Sequence, residues 1–97
     1  VSGSGPAYFA LFAESVAPAG IELGLDEETA LRMSVATMEG TVALLSSQDM
    51  TPGQLVEAAS TPGGTTVAAI DRMKAEGVDG GIVNGVHAAS ERAGELG

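Results

Sequence analysis

Between Met33 and Ser47 the sequence MSVATMEGTVALLSS carries a single charge, Glu39. No other feature constrains the fold as strongly. Leu31, Val35, Met38, Val42 and Leu45 recur at steps of four and three, the spacing of one helical face. The remaining positions are also mostly small or apolar. A helix that is apolar nearly all round must be covered on several sides. A chain of 97 residues supplies only a modest core. A second copy is the simplest source of cover, so the sequence predicts a dimer with this helix near its centre.

The rest of the chain also reads as helix. No segment alternates with period two toward a hairpin turn, so no sheet is predicted. Pro6 suits a first helical position after the loop SGSGP, and Tyr8, Phe12 and Val16 then share a face. Pro18 lacks an N–H and is expected to kink or end that helix, with Gly20 and Gly24 closing the segment. Asp26 reads as the N-cap of the second helix, with Glu27 and Glu28 in its first turn. TPGQ, Thr51 to Gln54, has the form of a capping box and opens a short helix ending near Ala59. A fourth helix turns Val67, Ile70 and Met73 inward and stops at Gly77. A fifth runs from about Asp79 with Ile82, Val86, Ala89, Ala93 and Leu96 on one stripe. Gly80, Gly81 and Gly85 weaken its start or allow close helix contact. The expectation is an all-α bundle of about five helices.

Composition narrows function mainly by exclusion. The net charge is −9 with four basic residues, which argues against nucleic acid and against anionic membrane surfaces. There are no cysteines, so disulfides and thiolate chemistry are excluded, in keeping with a cytoplasmic protein. His87 is the only histidine, and no metal site is predicted around it. No apolar run reaches the roughly 20 residues of a membrane span. The carboxylates Glu27, Glu28, Glu91 and Glu95 read as solvated faces. The chain opens at Val1 rather than Met, and the expectation is a fragment of a longer protein.

STPGGTT, Ser60 to Thr66, allows two readings. In one, Thr61 caps a helix and Pro62 is its first residue. Two glycines would then lie inside the helix, at about 1 kcal/mol each. In the other, the glycines form a tight turn that bares backbone N–H groups at a helix starting at Thr65. Those donors, the positive end of the helix dipole and the hydroxyls of Thr61, Thr65 and Thr66 would cradle a carboxylate or phosphate. SGSGP alone is too short, and lacks the preceding strand, for a dinucleotide fingerprint.

Together, SGSGPAY (Ser2 to Tyr8) and STPGGTT resemble pyrroline-5-carboxylate reductases in order and separation. GLDEETA (Gly24 to Ala30) and RAGEL (Arg92 to Leu96) add to the resemblance, which covers essentially the whole chain. It implies the C-terminal, all-helical dimerisation and substrate-binding domain, residues 1–97, with a fold like the C-terminal part of 6-phosphogluconate dehydrogenase and two copies interlocked. The family reduces L-1-pyrroline-5-carboxylate to L-proline with NAD(P)H, and a Rossmann domain absent from this chain binds most of the nucleotide. The resemblance assigns the substrate carboxylate to Thr61, Gly63, Gly64, Thr65 and Thr66, and makes Thr66 the catalytic residue beside the imine nitrogen. It sets Ser2, Gly3, Ser4, Gly5 and Pro6 next to the nicotinamide. The isolated chain is expected to be inactive.

Departures from the family pattern fall at Ala58 and Ala59, at Asp49 and at Pro18. Two alternatives compete with the resemblance. One is a helical dimerisation module without chemistry. The other is a different two-domain dehydrogenase, which would call for a helix-borne lysine; the only lysine, Lys74, lies on a polar face.

Overall fold

The computed structural model describes residues 3–97, so Val1 and the candidate Ser2 lie outside the described residues. Five helices follow one another: α1 (Gly5–Glu22), α2 (Glu27–Ser47), α3 (Pro52–Ala58), α4 (Thr65–Ala75) and α5 (Val78–Leu96). No strand occurs among the described residues. The chain divides into two compact units, Val1–Thr51 and Pro52–Gly97.

The first unit is a helical hairpin of α1 and α2. Its seam is made of small residues: Ala13, Ala17 and Ala30 are buried there. A Cβ placed on Gly20 would stand 3.3 Å from the Ala30 Cβ, so the two backbones approach closely at this point. Pro18 does not end α1. The helix runs through it to Glu22 and stops at Gly24, at φ +107. There the Leu25 N–H donates to the Gly20 carbonyl and the Gly24 N–H to the Ile21 carbonyl, both at 3.0 Å. That pair of bonds is a Schellman cap. Proline removes one intrahelical bond, whereas the small-residue seam and this cap act on either side of it.

Asp26 caps α2, accepting the Thr29 N–H at 2.7 Å. The backbone bond from Thr29, and then the bond from its side chain, hold the Asp26 carboxyl below its ordinary value of 3.8. Arg32 and Glu28 form an exposed ion pair one turn apart. At the far end Asp49 takes a left-handed φ of 52 just after the C-cap Gln48.

Apart from those alanines, no hydrophobic residue of the described chain is buried. Phe9 is 66% exposed and Val42 63%. The predicted seam of α2 is present as a face, but Leu31, Val35 and Val42 stand open and only Met38 and Leu45 are half-covered. On the shared face of α1, Tyr8 is half-buried and Phe12 is exposed. Along the hairpin, a groove of about 700 Å³ is lined by Phe9, Ala13, Ile21, Leu31, Val35 and Met38. A second, of about 220 Å³, is lined by Val16, Gly20, Leu25 and Met33 among others.

In the second unit α4 ends at Gly77, at φ +83, which is also the first cap of α5. Only Glu76 and Gly77 thus join the two helices. The Gly77 N–H bonds back to the Lys74 carbonyl at 3.0 Å, and the Gly77 carbonyl accepts the Gly81 N–H at 2.8 Å. Gly80, Gly81 and Gly85 lie inside a continuous α5 and do not break it. Gly77, Gly81, Gly85, Ala89 and Ala93 fall at intervals of four, and open space lies over each of the three glycines.

A chain with so little buried apolar area is expected to gain stability from association. Its thermal midpoint should rise with protein concentration over roughly a hundredfold range, read by circular dichroism; a constant midpoint would show that the single chain is stable alone. The Asp26 cap gives a pH signature. Because its folded pKa is lowered, its contribution is complete above about 3.8 and is lost as pH falls through the folded value. Asp26→Ala should therefore lower the midpoint at neutral pH, and the gap from the parent chain should close in acid.

Candidate functional site

The loop between α3 and α4 is built residue by residue. Ser60 turns its hydroxyl back to the Val56 carbonyl, and its N–H bonds to the Glu57 carbonyl at 3.1 Å. Both groups are therefore committed to finishing α3. Thr61 to Gly64 then form a turn closed by the Gly64 N–H on the Thr61 carbonyl at 2.9 Å. Pro62 occupies its second position and Gly63, at φ +72, its third. Proline followed by a left-handed glycine is the sequence pattern of a type II turn.

Gly64 is extended, at φ −85 and ψ 177, and is the N-cap of α4. Its carbonyl receives the Ala68 N–H at 3.3 Å, but no side chain caps the helix. Helix α4 therefore starts at Thr65, which sets aside the reading of Thr61 and Pro62 as a helix start. Consequently the N–H groups of Thr65, Thr66 and Val67 have no partner among the described residues. The hydroxyls of Thr61, Thr65 and Thr66 likewise make no hydrogen bond there. Arg72 and Lys74, the cations of α4, sit in its last turn, at the opposite end. Any negative charge at Thr65 would be met by amides, hydroxyls and the helix dipole.

Two details escaped the sequence reading. The Gly64 N–H is taken by its own turn, so Gly64 enters the loop through its missing side chain. The Val67 N–H joins those of Thr65 and Thr66. Counting the orphan donors of a helix that begins at Thr65 would have found it.

The other motif belongs to the first unit. Gly3 and Ser4 form the turn into α1, with the Ala7 N–H on the Ser4 carbonyl at 3.0 Å and Pro6 in the first helical turn. The Ser4 side chain does not cap α1, and Gly5 is buried. His87 is exposed on α5, and no group of three or more metal-ligating side chains occurs among the described residues. No helix there is long and apolar enough to cross a membrane.

The family model described as "Pyrroline-5-carboxylate reductase dimerisation" matches residues 1–96. A pyrroline-5-carboxylate reductase of Pseudomonas aeruginosa is 41% identical over 96 residues, covering 99% of this chain and 35% of that protein. One from Pisum sativum is 38% identical with the same coverage. Among solved structures, the Plasmodium falciparum pyrroline carboxylate reductase with NADP bound superposes with a TM-score of 0.88 at 33% identity, over 94% of this chain and 35% of that one. The chain thus spans about a third of the length of these relatives.

The left-handed turn position gives a direct check. Gly63→Ala should destabilise the fold by about 1 kcal/mol and Gly63→Asn by less, since asparagine tolerates that conformation better. Denaturant midpoints read both; equal stability of all three chains would remove the left-handed turn.

Proposed function

The chain belongs to the pyrroline-5-carboxylate reductase dimerisation family, and from that membership we propose that it is the dimerisation and substrate half of an enzyme reducing L-1-pyrroline-5-carboxylate to L-proline. The observation that carries this reading is the bare start of α4: among the described residues the N–H groups of Thr65, Thr66 and Val67 and the hydroxyls of Thr61, Thr65 and Thr66 have no partner, and the cations of α4 itself lie in its last turn. That set suits one small carboxylate. It also answers how a chain of net charge −9 can bind an anion.

In the proposed mechanism the substrate carboxylate lies against the N–H groups of Thr65, Thr66 and Val67, with the Thr61 and Thr65 hydroxyls as further donors. The Thr66 hydroxyl faces the imine nitrogen, orients the ring and assists its protonation. When bound, the nicotinamide would supply the hydride that reduces the imine carbon, while the Thr66 hydroxyl helps deliver the proton to nitrogen, so that the C=N bond would become the C–N bond of proline. Such a reaction needs held geometry and exclusion of water rather than a strong acid or a nucleophile. The described residues offer no strand and glycine-rich loop for the dinucleotide phosphates, so the nucleotide is assigned mainly to a Rossmann domain elsewhere in the protein. Gly3, Ser4, Gly5 and Pro6 are assigned to the nicotinamide side. A second copy is assigned to the apolar faces of α1 and α2, and the cytoplasm as compartment.

The test is a full-length protein carrying this chain, assayed for nicotinamide oxidation dependent on L-1-pyrroline-5-carboxylate. Thr66→Ala should lower kcat/KM by about a hundredfold, with dimer size unchanged by light scattering. Parental rates in that variant would remove Thr66 from the chemistry. A parent that dimerises but turns over no substrate would leave the module without chemistry as the better reading.

A further inference from the structure

The two glycines of STPGGTT are not glycine for the same reason. Gly63 holds a left-handed φ of +72. Gly64, at φ −85 and ψ 177, has a backbone that any residue adopts. Conformation therefore does not explain it. Space does: a Cβ placed on Gly64 would fall 2.4 Å from the Thr61 Oγ1 and 3.1 Å from the Thr61 carbonyl oxygen. Non-bonded heavy atoms settle at about 3.5 Å. The carbonyl could yield by a few tenths of an ångström, but the hydroxyl would have to leave. Threonine is β-branched, so rotation about χ1 presents the oxygen, the methyl or the Cβ hydrogen toward Gly64. Only the last would clear a new Cβ, and it moves the hydroxyl away from the turn.

We propose that Gly64 is a positioning residue: its missing side chain leaves open the one rotamer in which the Thr61 hydroxyl lies over the turn that leads into α4. The hydroxyl makes no hydrogen bond within the described residues, so no hydrogen bond in the loop accounts for that rotamer. Gly64 then acts on substrate through Thr61, and its own N–H stays in the turn. This rests on the carboxylate reading above, because the hydroxyl so placed is the donor assigned to the substrate.

The experiment is a double-mutant cycle in the full-length protein. KM and kcat for L-1-pyrroline-5-carboxylate are measured for the parent, Gly64→Ala, Thr61→Ala and the pair combined, with Thr61→Ser as the conservative control. Gly64→Ala should raise KM about tenfold, the worth of one hydrogen bond to a charged group, and should lower kcat far less. Thr61→Ala should match it, Thr61→Ser should keep the parental KM, and the combined variant should be no worse than Thr61→Ala alone. A parental KM in Gly64→Ala, or two penalties that multiply in the combined variant, overturns the proposal. Thermal midpoints of the same proteins separate its failure from that of the functional reading. If the parent turns over no pyrroline-5-carboxylate, the functional reading fails, and the steric coupling is judged by melting. Gly64→Ala should then lower the midpoint in the Thr61 background and leave it unchanged in the Thr61→Ala background; independent losses overturn it.

Discussion

The approach of Gly20 to Ala30 is the contact on which the first unit depends. Small residues along α1 and α2 let the two backbones come close, and the buried alanines lie along that seam. Larger apolar side chains are thereby pushed to the flanks, where they line grooves on the hairpin. A thicker seam of leucines would have buried its own side chains and left less to offer a second copy. The hairpin therefore trades a private core for shared faces. The family's description as a dimerisation domain fits that arrangement.

Much of this was legible in the sequence, because helix ends are written in local chemistry. Asp26, Gly24 and Gly77 each mark a boundary that the structure keeps. Pro18 does not end its helix, one of the two outcomes expected of it, because a proline's cost is local and a helix continues when packing and a good cap lie beyond it. The glycines of α5 behaved likewise: each weakens the helix, yet nineteen residues remain helical around them. Residues such as Tyr8, Phe12 and Leu31 were harder to place. Periodicity says which face is apolar, but it does not say what covers that face.

At the candidate site the sequence revealed the donors but not their allocation. STPGGTT shows hydroxyls and glycines without showing that one N–H closes the turn while three others stay open. That division follows from the phase of α4, which begins at Thr65. With Arg72 and Lys74 in the last turn of α4, an anion placed at its start would be met by oriented dipoles. Dipoles fixed in a backbone do not titrate, so the proposed carboxylate binding would keep its strength over a wide pH range, whereas a histidine or lysine would impose a limit.

The net charge of −9 bears on the open apolar faces in a further way. Two copies that meet must bring their negative fields together before any side chain touches. Repulsion of that kind reaches about 8 Å at physiological ionic strength, whereas apolar contact acts only at touching distance. If two copies pair through the grooves, as proposed, this repulsion would hold them apart at long range, and only closely matched encounters would recover the cost. Added salt shortens the barrier, so it speeds correct pairing and weakens the protection against incorrect pairing.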